Sequence, residues 1–190
     1  MGFKDIPLEI SYDSDETDIA AEFYRPLLKE AKTYRRLAGY FSSTTFAIAI
    51  GEILEFIENG GTMKLVTSTE ISKQDKNTFE EYVHGDSFGD MLIEKLKLNQ
   101  DQIFKDCAAL MGWMLSHKVD GQPQLEIKIA ITSSIYHPKM GIFSDADDNL
   151  VSFEGSVNET GKAWNDNVEK FKVSTSWGDE SDLKRVSIDI

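Results

Sequence analysis

The sequence predicts one α/β domain over residues 1–190, with a mixed sheet flanked by helices and a helical insertion at 72–123. Strand, helix and strand patterns follow one another over residues 37–67 with short connections, which is typical of a parallel crossover. Two strand patterns joined by a polar turn over residues 135–154 indicate an antiparallel pair. A chain of 190 residues with 41% apolar content is long enough for one core and thin for two.

The individual elements follow from the spacing of apolar residues. Pro26 falls inside the first helical pattern and predicts either a kink or a fresh helix start there. Asn59-Gly60-Gly61 ends the second helix. The predicted strands are 6–11, 37–41, 63–67, 125–131, 135–143, 150–154 and 169–174, and the predicted helices are 18–32, 46–57, 73–83, 88–98 and 100–118. The last three helices follow one another without a strand and form the insertion, which ends at the turn of residues 121–123.

Charge and cysteine content exclude several classes of protein. A net charge of -13 argues against broad electrostatic capture of nucleic acid or of an anionic membrane, although a local basic pocket is compatible with it. Cys107 is the single cysteine, which excludes an intrachain disulfide framework and a Cys-rich zinc site, and we expect it to be a buried apolar residue. No segment approaches the length of a membrane span, so we expect a soluble cytoplasmic domain.

A histidine and a lysine lie two residues apart in the strand predicted over residues 135–143. Side chains two positions apart on a strand point to the same face, so His137 and Lys139 are predicted neighbours. An imidazole can attack phosphorus or move a proton, and a fixed ammonium beside it offsets the charge of phosphoryl oxygens. The pair is therefore a candidate phosphate site.

Four further polar or small residues follow this pair at short range. Gly155 permits close backbone approach, Ser156 and Asn158 supply short polar groups, and Glu169 opens the next predicted strand. The motifs are then His-x-Lys, Gly-Ser-Val-Asn and Asn-Val-Glu, in that order. Three spaced elements of this kind are far more specific than a lone His-x-Lys, which is usually chance.

These three motifs resemble the HKD signature of the phospholipase D superfamily, most closely its bacterial endonuclease branch. The β-α-β pattern over residues 39–66 also resembles the first unit of that fold. The chain is similar in particular to phospholipase D-like domains at the N-terminus of some bacterial helicases and restriction proteins, which would suit a fragment followed by a helicase domain after Ile190. The resemblance implies a phospholipase D-like fold and a nucleic-acid substrate, with no membrane partner, metal or cofactor.

The resemblance also implies a role for each site residue. His137 would be the nucleophile that forms a phosphohistidine, and Lys139 and Asn158 would hold non-bridging phosphate oxygens. Ser156 would either donate a hydrogen bond to the phosphate or contact the residues that bind it. Glu169 would accept a hydrogen bond from the histidine ring and so select its tautomer.

The chain departs from the family pattern in two respects. Ser144 occupies the position of the family's aspartate and Asp145 follows one step later, so we expect Asp145 to have a structural role. The family's site uses two His-x-Lys motifs, whereas neither His84 nor His117 has a lysine at the right spacing. Either a homodimer builds one site across a twofold axis, which we favour, or the second copy lies outside this sequence.

Two functional hypotheses remain open on these grounds. The first is a metal-independent phosphodiesterase, specifically a nuclease, acting through His137. The second is a binding or dimerisation module with little activity that serves a helicase or restriction system, which the acidity and the displaced aspartate favour. Lipid hydrolysis is weaker because no amphipathic membrane-docking segment is present.

Other polar and aromatic residues have simpler interpretations. Residues 145–149 resemble the start of a calcium loop but lack its Gly and its final Glu, so we expect a solvated turn. His84 and His117 are predicted to cap helices or lie at the surface. Arg35 and Arg36 are predicted at a solvated strand edge rather than a phosphate groove. Trp164 and Trp177 are predicted to pack in the core or at an interface rather than to stack on a base.

Overall fold

A computed structural model of the chain describes residues 1–68, 103–131, 137–158, 160–165 and 167–189. It begins with a 3-10 turn at Phe3–Asp5 and has a π-helical turn at Ala20–Tyr24. The strands are β1 (Ser11–Asp13), β2 (Thr33–Ala38), β3 (Thr62–Thr67), β4 (Lys118–Val119), β5 (Gln122–Pro123), β6 (Leu125–Ile129), β7 (Met140–Ser144), β8 (Leu150–Gly155) and β9 (Lys170–Thr175). The helices are α1 (Arg25–Glu30), α2 (Thr44–Ile48), α3 (Ile50–Glu58), α4 (Ile103–Ser116), α5 (Gly161–Asn165) and α6 (Glu180–Asp189).

The strands form a mixed seven-stranded sheet in the order β1-β9-β8-β7-β2-β3-β6. β2, β3 and β6 are parallel neighbours, which confirms the crossover predicted from the sequence. β7 is antiparallel to both β2 and β8, and β9 is antiparallel to β8. The carboxyl ends of β2, β3, β6 and β8 therefore meet the amino ends of β7 and β9 at one edge of the sheet.

The main core packs against one face of the sheet. Alternate side chains of β2, β3 and β9 point to this face and are buried. Phe23 precedes α1 and packs edge-on against Phe153 of β8, with ring centroids 5.1 Å apart. Tyr34 of β2 stacks on Phe143 of β7 at 4.1 Å. Aromatic pairs of this kind contribute more than their buried area alone. The predicted core positions of Trp164 and Cys107 are confirmed, since both side chains are buried.

Several predicted boundaries were wrong. The first strand is Ser11–Asp13 rather than 6–11, because Tyr12 rather than Ile10 faces the core. β2 begins at Thr33, four residues earlier than predicted. Its alternation buries Tyr34, Arg36 and Ala38, so Arg36 is not at a solvated edge, whereas Arg35 is exposed as expected.

The helices differ from prediction mainly at their ends. Pro26 is the second residue of α1, which confirms the predicted fresh helix start, here after the π-helical turn. Proline is well tolerated in the first turn of a helix, because the N–H that it lacks would have no partner within the helix there. A break at Ala49 divides the second predicted helix into α2 and α3. Of the predicted insertion, the helices at 73–83 and 88–98 lie outside the described residues. The polar tail contains α6, which the sequence did not predict because its charged residues outnumber its apolar ones.

Within the described part of the chain, no helix is long and apolar enough to cross a membrane.

Candidate active site

All six residues of the predicted phosphate site lie at the sheet edge where β7 and β9 begin and β8 ends. His137 and Lys139 directly precede β7, and Glu169 directly precedes β9. Gly155 is the last residue of β8, and Ser156 and Asn158 follow it. Antiparallel pairing brings these segments together, because the Gly155 N–H donates to the Lys139 carbonyl at 3.2 Å. The topology thus gathers residues that are up to 32 positions apart in the sequence.

His137 and Lys139 contact each other directly. The Lys139 ammonium lies 2.8 Å from Nε2 and 3.0 Å from Nδ1 of the His137 ring. The predicted strand over residues 135–143 was wrong at its amino end, because β7 begins only at Met140 and residues 132–136 lie outside the described part. The pair therefore meets through the length of the lysine side chain rather than through strand alternation. The ring of His137 is exposed, while Lys139 is buried.

Glu169 is buried, and its carboxylate accepts hydrogen bonds from two neighbouring side chains. The Ser156 hydroxyl donates to Oε2 through a short hydrogen bond, and the Asn167 side-chain amide donates to Oε1 at 3.2 Å. Its backbone N–H donates to the Ser14 hydroxyl at 2.7 Å. Between Glu169 and His137, both of which are described, there is no hydrogen bond; the ring contacts Lys139 instead. The carboxylate thus anchors the turn after β8.

Asn158 has its side-chain amide oriented by the backbone. The Tyr40 N–H donates to Asn158 Oδ1 at 3.1 Å. A backbone N–H can only donate, so the oxygen of the amide must face Tyr40, and the two N–H groups of Nδ2 are turned away from it. The Nδ2 group of Asn158 can therefore act as a donor, which is what a group that holds a phosphate oxygen requires.

The environment of Lys139 makes its charge costly. Burial lowers the pKa of the Lys139 ammonium, and the nearby Arg36 guanidinium lowers it further, while the Glu169 carboxylate acts in the opposite direction. Two cations and one carboxylate are thus close together at a buried position. An incoming anion would be stabilised by this excess of positive charge.

A groove of about 730 Å³ opens beside His137 and Lys139. Lys170 and Lys172 of β9 line it, with Glu154 of β8 between them and the histidine. Lys172 is exposed and lies opposite Glu154 in the strand register, whereas Lys170 pairs with Asp13 at 3.2 Å. This is a locally basic surface on an acidic chain.

Asp145 is the residue that organises the turn between β7 and β8. Its Oδ1 accepts hydrogen bonds from the Asp147 and Asn149 N–H groups at 3.0 and 2.9 Å. Its Oδ2 accepts from the Phe3 N–H at 3.0 Å and from the Asn149 amide at 2.9 Å. Asp145 itself is only 4% exposed, whereas residues 146–148 are exposed, so the turn is solvated as predicted except at this residue. The expected structural role of Asp145 agrees with these contacts.

Other predicted functional candidates lie away from this edge or are engaged elsewhere. His117 follows α4 and stacks on Trp113 at 4.3 Å. Trp164 stacks on Tyr24 at 3.8 Å and Trp177 packs against the core, which confirms packing for both tryptophans. His84 lies outside the described residues. No group of three or more His, Cys, Asp or Glu side chains in the described ranges is arranged to hold a metal ion.

Three residues near the site were not predicted from the sequence. Arg36 is buried, and its Nη2 donates to the Val157 carbonyl through a short hydrogen bond. Tyr40 contributes its backbone N–H to Asn158, and Ser14 reaches Glu169 from 155 residues away. The inward position of Arg36 could have been found from the alternation of residues 33–38, but the contacts of Ser14 have no local signal.

The fold is similar to several solved structures. No family model matches the sequence, and none of the curated proteins matches it. NucT from Helicobacter pylori is similar over 94% of this chain and 90% of its own, with a TM-score of 0.50 and 16% identity. A phospholipase D family member, Nuc from Salmonella typhimurium, is similar over 86% of this chain and 79% of its own, with a TM-score of 0.48 and 16% identity.

A third similar structure is phosphatidylserine synthase from Haemophilus influenzae Rd KW20. It covers 89% of this chain and 34% of its own, with a TM-score of 0.46 and 14% identity. At these identities the likeness concerns the fold.

Proposed function

The chain has the fold of the phospholipase D superfamily, as its sequence predicted, and from this premise we propose that it is a phosphodiesterase that cleaves nucleic acid through His137. The observation that carries the proposal is the convergence of the three motifs at one sheet edge. His137 is exposed there beside the buried Lys139, while Asn158 is oriented as a donor. Each motif alone would be weak; together they form one anion site with a nucleophile at its mouth.

The proposed reaction has two steps. A ring nitrogen of His137 attacks phosphorus, so that a P–N bond forms and the P–O bond to the leaving group breaks. Water then attacks the phosphohistidine, the P–N bond breaks and the histidine is regenerated. The Lys139 ammonium and the Asn158 amide stabilise the charge on the non-bridging oxygens in both steps.

The contact between Lys139 and His137 has a consequence for the first step. Without substrate, the ammonium donates toward the ring and engages its lone pair. A phosphate oxygen is a stronger acceptor than a neutral imidazole because it is charged. Substrate binding would therefore draw the ammonium away and release the ring nitrogen for attack.

We further propose that two copies of the chain share one site. The leaving oxygen needs a proton, and a second His137 from a partner subunit would supply it. Supporting this, His137 is exposed at the mouth of the site, and His117, the other described histidine, is stacked on Trp113. A twofold axis would place two such histidines face to face.

The groove beside His137 supports a nucleic-acid substrate. Lys170 and Lys172 are alternate residues of β9 that point to one face, so their positions are about 7 Å apart along the strand. They offer positive charge next to the cleavage site for phosphates flanking the scissile one. A lipid headgroup would not extend along such a track.

The test is cleavage of labelled oligonucleotides and of a small chromogenic phosphodiester in EDTA, comparing the natural chain with His137→Ala. We expect His137→Ala to abolish both activities, and an acid-quenched reaction of the natural chain to contain phosphorylated histidine. Equal cleavage by both proteins would remove His137 from the mechanism. Specific activity should fall on dilution as the dimer dissociates; activity independent of dilution, with a monomeric sedimentation mass, would contradict the shared site.

The second candidate is a catalytically weak binding module that serves a helicase or restriction system. It is favoured by Ser144 at the position of the family's aspartate, where its hydroxyl is 2.6 Å from that of Thr33. Binding of an oligonucleotide without any cleavage, unchanged in His137→Ala, would support this candidate against the nuclease.

A further inference from the structure

The residue that connects β2 to the phosphate site is Arg36. Its side chain is 2% exposed, and burying a guanidinium is costly unless specific contacts offset the loss of water. Its neighbour Arg35 points to the other face and is exposed, as strand alternation requires. A charge is thus retained in the interior of β2 directly beneath the site.

The contacts of the Arg36 guanidinium include the Phe153 ring and the Val157 carbonyl. The guanidinium carbon lies 4.8 Å from the centroid of the Phe153 ring, at cation–π distance. The ring has room there because Gly141 separates the two residues in the register; a Cβ on Gly141 would lie 2.3 Å from a Phe153 carbon. Its Nη2 donates to the Val157 carbonyl. Arg36 is therefore oriented from below by Phe153 and holds the turn that follows β8.

That turn carries Asn158, and a second link from the same strand end holds it. Val157 is bound by Arg36, and the next residue, Asn158, accepts from the Tyr40 N–H at 3.1 Å. Both links come from the carboxyl end of β2 and reach two consecutive residues of the turn. The turn cannot shift without breaking one of them.

We infer that Arg36 is a positioning residue that acts through Asn158 and places its amide donor against the phosphate. This inference rests on the proposed function and deepens it, since it assigns a role to a residue outside the three motifs. Arg36 also keeps a second positive charge close to Lys139. Among the described residues, the charged or titratable groups that face Lys139 are His137, Glu169 and Arg36, with Glu154, Lys170 and Lys172 along the groove.

The charge of Arg36 predicts a direction for the pH profile. Burial lowers the pKa of Lys139 most, Glu169 acts in the opposite direction, and Arg36 lowers the pKa by a smaller amount. Removing the charge of Arg36 should therefore raise the pKa of Lys139. The alkaline limb of kcat/KM, where the ammonium is lost, should then move to higher pH in Arg36→Met. A residue that only fills space would leave that limb in place.

The decisive experiment is a double-mutant cycle of Arg36→Met with Asn158→Ala, measured as kcat/KM on the small phosphodiester. We expect each single change to lower kcat/KM on the order of 100-fold, as a misplaced group of this kind does. Because both act through one group, Arg36→Met should cost little more once Asn158→Ala is present. The control is Arg35→Met, the exposed neighbour, which should leave kcat/KM and the pH profile unchanged.

The outcomes separate the two proposals. If His137→Ala cleaves as well as the natural chain, the proposed function fails. If His137→Ala is inactive but the effects of Arg36→Met and Asn158→Ala multiply, or the alkaline limb stays in place, only the role of Arg36 fails. If Arg36→Met does not fold, Arg36→Lys replaces it in the cycle. Because Arg36→Lys keeps the positive charge, we expect the same non-additivity with Asn158→Ala and an alkaline limb that does not move. Effects of Arg36→Lys and Asn158→Ala that multiply would overturn the inference.

Discussion

Replacing Asp145 by alanine tests whether the aspartate one step beyond the expected position has become a structural anchor. Its carboxylate accepts four hydrogen bonds, three within the turn between β7 and β8 and one from Phe3 at the start of the chain. The variant removes all four acceptors at once. The perturbation is confined to the end of the sheet opposite His137.

The size of the effect follows from which of these bonds water can replace. The Phe3 N–H is buried, and leaving it without an acceptor costs about 1–3 kcal/mol. The three turn bonds are partly accessible, and each contributes about 0.5 kcal/mol net. We expect the free energy of unfolding to fall by about 3 kcal/mol, which corresponds to roughly 10 °C in Tm for a domain of this size.

The same contacts give a pH dependence with a definite sign. Burial opposes ionisation of Asp145, but hydrogen bonds from Asn149, Phe3 and Asp147 outweigh it and hold the pKa of the carboxyl below its usual value. The carboxylate therefore stabilises the fold above about pH 3.9, the pKa in the unfolded chain, and this stabilisation is lost as pH falls through the lower folded pKa. The difference between the natural chain and Asp145→Ala should shrink at the acid end.

Urea denaturation at pH 7 and through the acid range measures both effects. The matched control is Asp147→Ala, which removes an exposed carboxylate two residues away and should change the free energy of unfolding by less than about 0.5 kcal/mol. A loss for Asp145→Ala no larger than that of Asp147→Ala, or one that does not diminish at low pH, would refute the anchoring role.

Three further predictions concern packing, substrate binding and thiol access. Gly155→Ala should lower Tm, because a Cβ there would lie 2.2 Å from the Lys170 carbonyl oxygen. Its control, Gly51→Ala in α3, places a Cβ that meets nothing within 4 Å and should raise the free energy of unfolding by about 0.5–1 kcal/mol. If thermal unfolding ranks the two variants the other way, the close approach of β8 and β9 is contradicted. Lys172→Gln should weaken oligonucleotide binding and reduce the salt dependence of the binding constant by about one counterion, while Lys184→Gln on α6, where the side chain is 73% exposed, should change neither. Equal slopes of the binding constant against salt concentration for the two variants would exclude phosphate binding by the β9 lysines. The buried thiol of Cys107 should react with iodoacetamide only after unfolding, and rapid labelling of the native protein would be inconsistent with its position in α4.

Much of the fold follows from local patterns that the sequence displays. The parallel pairing of β2 and β3 was predictable because short connections and a helix between two strands leave few alternatives. The hairpin of β7 and β8 was predictable from its polar turn. The boundaries of the elements were less predictable. The position of β1 and the start of β2 depend on which residues contact the core, and the apolar residues of α6 are too few to predict a helix.

The candidate site was predictable in its residues and not in its contacts. The three motifs gave His137, Lys139, Ser156, Asn158 and Glu169 because each is a local spacing, and the structure brings all five to one sheet edge. The contact of Glu169 with Ser156 could not be predicted, since the antiparallel pairing of β8 and β9 brings the two together, whereas Asn167 lies only two residues before Glu169.

By itself, the sequence determined the class of fold, the motifs and the acidity of the chain, because these depend on residue type and short-range spacing. Only the tertiary structure decided how the site is supported. Arg36 is buried because the core covers its face of β2, while Arg35 on the opposite face is exposed. The Arg36 guanidinium meets Val157, 121 residues later, and Tyr40 meets Asn158, 118 residues later. Contacts across such distances depend on strand order and register, which no local pattern of residues records.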